Sequence, residues 1–247
     1  MPALRARVTE HQRALLGPRP SGREALDASR TFVAYAQCLA EALAAGRAEA
    51  SAATVTVREP RVLEHLRGEQ GAVIVTAHAG AWDAAGPLLA RDLGRKVTVL
   101  MHAEPDASAR RLHDSVRRGA GVEVLHVGDD PLSAVPLLAR LKRGELVAAQ
   151  IDRAPPGLRR IETRLGQAPF AVPAGPFVLA GLAGVPLLPL FARRAAPFRY
   201  ELWGGAPVRV PRRAREAELG AAADEVMQTL ERFLRAHPTQ WFCFGDS

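Results

Sequence analysis

The sequence predicts an α/β fold with a mostly parallel central sheet flanked by helices, preceded by an N-terminal helical extension. Short, apolar, β-branched segments alternate with segments of helical periodicity, an order typical of parallel strands joined by right-handed crossovers. A chain of 247 residues with 48% hydrophobic and 24% charged residues can bury a core without disulfides or metals. We therefore expect a single domain over 1–247, with a helical extension at 1–60 and an α/β core at 61–247.

The elements follow from periodicity and breakers, taken in chain order. Helical spacing over 21–46 predicts one or two amphipathic helices, and 61–67 predicts a short helix ending at Gly68. Strands are predicted at 72–77, 96–101, 122–127 and 146–151, with helices at 84–93, 108–118 and 131–143. Beyond Asp152 the pattern loosens into an Arg- and Pro-rich segment. The prediction ends with a helix at 174–183, a strand at 186–191, a hairpin of 198–203 and 206–210 around Gly204 and Gly205, and a helix at 214–236.

The positive charge is concentrated in one part of the chain. The formal net charge is +7, yet residues 151–215 alone hold 11 Arg and 3 acidic residues, a net of +8. Such a region favours anionic partners: lipid head groups, nucleic acid or an acidic carrier protein. A solvated Arg-rich surface is the alternative.

The cysteines and the apolar segments bear on compartment and membrane association. The two cysteines, Cys38 and Cys243, lack zinc-site spacing and indicate a reducing, cytoplasmic compartment. Residues 1–20 contain no apolar h-region, so we expect neither a signal peptide nor an N-terminal membrane anchor. The uncharged stretch 165–192 is long enough to span a bilayer, but its five prolines favour a buried loop, helix and strand instead.

The most informative local pattern is His78-Ala-Gly-Ala-Trp-Asp83, which follows a predicted buried strand and leads into a helix. Ligands of open α/β sheets bind at this edge. A histidine there can act as a general base, and Asp83 can fold back to orient it. Gly80 would let the backbone pass close to a ligand. A helix-capping turn is the alternative interpretation.

Other chemistries lose support. The chain has no G-x-S-x-G elbow, no phosphate-binding P-loop and no G-x-G-x-x-G after a strand. The remaining histidines show no paired metal spacing. We expect no metal and no cofactor.

These residues resemble those of a family, the bacterial lipid A biosynthesis lauroyl/myristoyl acyltransferases within the H-x-x-x-x-D glycerolipid acyltransferase group. The strand–HAGAWD–helix element is similar to the family's H-x-x-x-W-[DE] motif. Later blocks fit in order over about 60–245: Arg118-Gly-Ala-Gly121, L-K-x-G-E at 141–145 before Asp152-Arg153, P-x-G-P at 173–176, G-x-P-x-x-P at 184–189 and H-P-x-Q-W-F at 237–242.

The resemblance implies an acyltransferase with catalytic His78 and Asp83. His78 would take the proton of an acceptor hydroxyl or amine attacking an acyl carrier protein or coenzyme A thioester, with no covalent acyl-enzyme. Oxyanion donors would be backbone N–H groups near Gly80 or Arg153. The substrate-binding candidates are Gly80, Trp82, Arg118, Asp152, Arg153, Arg159, Arg160, Arg164 and Gly175.

Alternatives stay open for several of these residues. Asp152 and Arg153 are expected at the same sheet edge as His78, or they form a structural ion pair. Trp82 either packs beneath the motif or lines an acyl pocket, and Trp241 and Phe242 are expected in the core. Arginines at positions 159, 160 and 164 bind phosphate or an acidic carrier, or belong to a solvated loop.

The departures from the family pattern bear on the acceptor. Ala81 stands where Asn is common, no N-terminal anchor is expected, and Cys243-Phe-Gly-Asp-Ser247 replaces basic residues. These differences favour a lysophospholipid, an aminolipid or a specialised metabolite over a lipid A precursor. We expect peripheral contact with the cytoplasmic face of an anionic inner membrane and no nucleic acid partner. A catalytically inactive lipid-binding member and, less favoured, a nucleic-acid-binding module are the alternatives.

Overall fold

The computed structural model describes residues 2–44, 53–102, 107–119, 121–127, 134–154 and 157–244. Its helices are α1 (Pro2–Leu16), α2 (Ser21–Leu43), α3 (Pro60–Arg67), α4 (Trp82–Leu93), α5 (Ala107–Gly119), α6 (Ala134–Lys142), α7 (Gly175–Ala183), α8 (Glu216–Ala236) and a 3₁₀ helix (Pro238–Gln240). Its strands are β1 (Thr54–Val57), β2 (Ala72–Thr76), β3 (Val97–His102), β4 (Glu123–Val127), β5 (Leu146–Gln150), β6 (Arg160–Leu165), β7 (Ala168–Pro173), β8 (Leu187–Ala196) and β9 (Arg199–Gly204).

The predicted α/β class is confirmed. The strands form a seven-stranded sheet within the described residues, in the order β1-β9-β8-β2-β5-β3-β4. The five strands from β8 to β4 run parallel, whereas β9 is antiparallel to β8 and parallel to β1. The carboxyl ends of the five parallel strands therefore meet at one edge of the sheet.

Helices cover both faces of the sheet. Val73 and Val75 of β2 share a core with residues of α6, α7 and α8, whereas Ile74 faces α3 on the other side. The central strand β2 is therefore buried on both faces, which explains why its sequence is continuously apolar.

The loosened segment after Asp152 contains a β-hairpin that the sequence did not predict. In β6 the buried positions alternate with exposed ones, and the exposed positions include Arg160 and Arg164. β7 pairs antiparallel with it, and Thr163 Oγ1 donates to Asp224 of α8 at 2.6 Å. Polar and apolar residues alternate in the sequence of β6, but the prolines and arginines around it are more typical of a loop.

The hairpin predicted around Gly204 and Gly205 is wrong. β9 instead pairs with β8, and the chain reverses near Phe198, which has a φ of 55°. The two glycines allow close packing rather than a turn. A Cβ on Gly204 would lie 2.6 Å from a Val62 methyl carbon, and one on Gly205 would lie 2.4 Å from Thr229 Oγ1.

The N-terminal part of the chain is helical over α1 and α2, as predicted, but β1 also lies within 1–60 and joins the sheet beside β9. The predicted helix 131–143 corresponds to α6, and residues 131–133 lie outside the described residues. Within the described ranges, no helix combines the length and apolarity needed to cross a membrane.

Candidate active site

His78 lies just beyond the carboxyl end of β2, in a short loop that ends where α4 begins at Trp82. This loop is held by the terminal segment, residues 240–242. The N–H of Phe242 donates to the His78 carbonyl at 2.6 Å, and the N–H of Gly80 donates to the Gln240 carbonyl at 2.8 Å. Backbone bonds from a distant part of the chain therefore position His78.

The imidazole of His78 is hydrogen-bonded to Asp152. Nδ1 of His78 lies 2.8 Å from Asp152 Oδ1, and the His78 backbone N–H donates to the same carboxylate at 3.0 Å. The two residues meet because β2 and β5 are adjacent parallel strands, with Thr76 opposite Gln150. The His78 side chain is 24% exposed, so one edge of the ring faces a ligand-accessible space.

Asp152 is fully buried and receives a further hydrogen bond. Nε1 of Trp241 donates to its Oδ2 at 3.0 Å. Burial alone would raise the pKa of Asp152, but the charge of His78 and the hydrogen bonds from His78 and Trp241 lower that pKa below its ordinary value. The carboxylate is therefore ionised at neutral pH.

Asp83 occupies a different place from the one the sequence predicts. In the first turn of α4, its carboxylate accepts a hydrogen bond from Arg117 Nε at 2.8 Å, whereas the carboxylate on the His78 ring is that of Asp152. Arg117, from α5, also lies over the Trp82 ring at 5.3 Å. Asp83 therefore ties the start of α4 to α5.

Trp82 lines an apolar cavity between α4 and the sheet. Its ring centroid lies 6.1 Å from that of His78. The cavity wall is formed by Ile74, Thr76, Trp82, Gly86, Val97, Val99, Ala148, Ala149, Gln150, Leu190, Ala192 and Leu202. Thr76 and Gln150 end their strands, so the cavity begins beside His78 and continues toward the middle of the sheet.

Gly80 is required by close packing against β8. Its φ is +54°, and a Cβ there would lie 2.0 Å from the carbonyl oxygen of Ala192. Its N–H is already bonded to Gln240. The close approach to β8 therefore explains this glycine, and the expectation that the backbone here also passes close to a ligand stays a prediction.

The predicted arginines separate into two groups. Arg153 follows Asp152, and its Nη2 donates to the Phe242 carbonyl at 3.4 Å, which places it against the terminal segment. Arg118 is exposed and donates to the Asp114 carbonyl on its own helix. The arginine beside the site is its neighbour Arg117, which is 9% exposed.

The remaining basic candidates lie on or beside the β6–β7 hairpin. Arg159 forms an ion pair with Glu216, Arg164 donates to the Gln167 carbonyl, and Arg160 is exposed at the start of β6. Gly175 is the first residue of α7. The described contacts do not join any of these four residues to His78.

Two residues that complete the site were not predicted to do so. Trp241 was expected in the core and is 5% exposed, but it also donates to Asp152. Arg117 was not among the predicted site residues. The H-P-x-Q-W-F block was the sequence pattern that could have indicated this role of Trp241, because the N–H of a buried indole needs a hydrogen-bond acceptor. In the described ranges, no three His, Cys, Asp or Glu side chains converge as metal ligands would.

A partly exposed histidine held by a buried aspartate lies at the carboxyl edge of the parallel sheet, beside an apolar cavity, and this arrangement suits general-base chemistry. The family model described as bacterial lipid A biosynthesis acyltransferase matches residues 28–246. The chain belongs to this family, as the sequence motifs predict.

Curated relatives carry a related name. Two phosphatidylinositol mannoside acyltransferases of Mycobacterium tuberculosis, from strains CDC 1551 / Oshkosh and ATCC 25618 / H37Rv, are each 29% identical to this chain over 175 residues. The aligned region covers 69% of this chain and 52% of each relative. The chain thus spans about half the length of the curated relatives it matches.

Proposed function

We propose that this protein transfers a fatty acyl group from a thioester to a hydroxyl or amine of a lipid acceptor, with His78 as general base. The observation that carries the proposal is the imidazole of His78, held by the buried Asp152 beside the apolar cavity. Membership of a lipid acyltransferase family supports the same chemistry.

In the proposed reaction, Nε2 of His78 removes the proton of the acceptor as its oxygen or nitrogen attacks the thioester carbon. The tetrahedral intermediate then expels the thiolate, which takes the proton back from His78. A positioned general base of this kind contributes about 10²–10⁴-fold to the rate. No covalent acyl-enzyme and no cofactor are needed, because the acceptor itself is the nucleophile.

Asp152 is the residue that we assign to support His78. A carboxylate on Nδ1 holds the proton there, leaves Nε2 free to accept one, and stabilises the imidazolium that forms. Asp83 then has an indirect role: its ion pair with Arg117 positions the start of α4 and so the Trp82 wall of the cavity.

The cavity is the proposed binding place for the acyl chain. Its lining is apolar except for Thr76 and Gln150 at the end nearest His78. An acyl chain inserted under α4 would bury methylene groups, each worth about 0.8 kcal/mol. Its thioester carbon would then lie at the polar end, within reach of the imidazole.

The donor and acceptor are proposed as classes. The donor is an acyl carrier protein or coenzyme A thioester, and the acceptor is a membrane lipid: a lysophospholipid, an aminolipid, a lipid A precursor or, by likeness to the relatives, a phosphatidylinositol mannoside. The exposed arginines Arg160 and Arg164 support peripheral contact with anionic lipid on the cytoplasmic face of a membrane.

The test uses purified protein, palmitoyl-coenzyme A and palmitoyl-acyl carrier protein, each with this panel of acceptors, and mass spectrometry of the lipids. We expect an acylated lipid that depends on the protein, and a loss of about 10²–10⁴-fold in its rate of formation in His78→Ala. His65→Ala is the matched control, because His65 lies on α3 and contacts Arg61 of the same helix. A product formed equally by wild type and His78→Ala would contradict the proposal.

The alternative of an inactive lipid-binding member makes a different prediction. Acyl donors would bind to the wild type, to His78→Ala and to Asp152→Asn alike, and no acceptor would be acylated with either donor. Binding measured alongside product formation separates the two functions.

A further inference from the structure

Gln150 has a buried amide nitrogen without a partner. It is the last residue of β5, and its Nε2 is buried with no hydrogen bond to any of the described residues. A buried N–H donor that lacks an acceptor is costly, so it is uncommon unless a ligand or a bound molecule supplies the acceptor. The described protein atoms supply none.

The position of Gln150 connects the cavity with the proposed base. Alternate residues of a strand share a face, so Gln150 lies on the side of β5 that leads to Asp152, and Thr76 on the side of β2 that leads to His78. Thr76 and Gln150 are register partners, and both line the apolar cavity. The amide therefore lies where the apolar lining ends and the His78–Asp152 pair begins.

Two backbone donors near His78 are engaged elsewhere. The Gly80 N–H donates to the Gln240 carbonyl, and the Ala79 N–H donates to the Ala77 carbonyl at 2.7 Å. Arg153 has a buried Nε without a partner, but its guanidinium reaches the Phe242 carbonyl and does not line the cavity. Among the cavity-lining residues of the described chain, Gln150 is thus the side chain with a buried donor still unpaired.

We propose that the side-chain N–H of Gln150 donates a hydrogen bond to the carbonyl oxygen of the acyl thioester, and more strongly to the oxyanion formed from it. This assignment rests on the proposed acyltransferase function. As the acceptor oxygen bonds to the thioester carbon, its proton passes to His78 and the carbonyl electron pair moves onto the oxygen. Gln150 stabilises that negative charge until the C–S bond breaks and the thiolate is protonated by His78.

The first test compares Gln150→Ala and Gln150→Glu with wild type in steady-state acyl transfer. Loss of one oxyanion donor typically lowers kcat by about 10²–10³-fold. In Gln150→Ala we expect that loss with the KM for the acyl donor little changed, and with the acid limb of the pH–rate profile unmoved because neither the amide nor the alanine side chain titrates. Gln70→Ala, which removes an exposed glutamine side chain ahead of β2, is the matched control.

A structural role for Gln150 would give a different pattern. The Gln150 variants would then have a lower melting temperature and shifted ring ¹⁵N signals of His78, without a selective loss of kcat. Wild-type kcat in both Gln150 variants would overturn the inference and leave the acyltransferase proposal standing.

The second test needs no turnover. Palmitoyl-coenzyme A carrying a ¹³C thioester carbonyl is bound to His78→Ala and to His78→Ala/Gln150→Ala, and its carbonyl stretch is recorded by isotope-edited infrared spectroscopy. A donated hydrogen bond lowers the stretching frequency, so we expect the lower frequency only where Gln150 is present. Identical bands would overturn the assignment. A thioester that neither binds to nor reacts with wild-type protein would overturn the proposed function together with it.

Discussion

Asp83 and Asp152 lie near the same edge of the sheet, yet their surroundings differ in every respect that matters for catalysis. Asp152 is fully buried and is bonded by the backbone and ring of His78 and by Trp241. Asp83 is 26% exposed at its side chain and is paired with Arg117. A carboxylate that shares a short sequence motif with a histidine need not be its partner, because adjacent parallel strands bring distant residues closer than a helix turn does.

The largest expected effect is that of Asp152→Asn. The amide keeps the shape but cannot hold the Nδ1 proton and the imidazolium, so kcat should fall by up to about 10⁴-fold, the loss known for the equivalent change in a serine protease triad. Steady-state acyl transfer measures this. Asp83→Asn is the matched control, and we expect its kcat to fall less than about tenfold. A larger loss of kcat in Asp83→Asn than in Asp152→Asn would contradict the assignment of Asp152 as the partner of His78.

Trp241→Phe tests whether the terminal segment supports Asp152. Without the indole N–H, a buried carboxylate loses a donor, and the free energy of unfolding should fall by about 1–3 kcal/mol with a loss of activity of about tenfold. Urea unfolding and acyl transfer measure the two effects. Trp203→Phe removes a similar volume from β9 without touching Asp152, so an equal loss of activity there would contradict the role of the hydrogen bond.

The Asp83–Arg117 pair should prove to be a modest structural contact. We expect Asp83→Asn and Arg117→Met each to lower the free energy of unfolding by about 1 kcal/mol, because the pair is partly exposed to solvent. The double variant should cost less than the sum of the single variants, as expected for residues in contact. A double-mutant cycle by urea unfolding measures this coupling, and strict additivity would argue against the pair.

The smallest effect concerns acid stability. The native-state pKa of Asp152 lies below its ordinary value, so its contribution to stability is present above about pH 4 and is lost as the pH falls through the native pKa. Urea unfolding of the wild type should therefore lose stability below that pH more steeply than unfolding of Asp152→Asn. Parallel curves for the two proteins would show that the pKa of this carboxyl is not lowered by folding.

Local features of the fold were readable from the sequence. The buried strand β2, the loop at His78 and the helix beginning near Trp82 are encoded within a few residues of one another. The strand–helix alternation predicted a parallel sheet because that topology has few alternatives. The pairing of β8 with β9 was missed because Gly204 and Gly205 resemble a turn, whereas close packing against Val62 and Thr229 explains them.

The partners of His78 were harder to predict. Asp152 is 74 residues away from His78, and Trp241 is 89 residues away from Asp152. The sequence placed Asp152 at the right edge, since it follows a predicted strand, but strand order decides which carboxylate lies beside the ring. That order is a property of the whole sheet and is not contained in the spacing of a short motif.

The most direct measurement of the central claim is the ring protonation of His78, observed by long-range ¹H–¹⁵N correlation spectroscopy of ¹⁵N-histidine-labelled protein. The signals are assigned by their loss in His78→Ala and recorded at a pH where the ring is neutral. We predict an Nδ1–H tautomer in the wild type and in Asp83→Asn, and a loss of that tautomer in Asp152→Asn. A tautomer that changes in Asp83→Asn and persists in Asp152→Asn would contradict the assignment of Asp152 as the partner of His78.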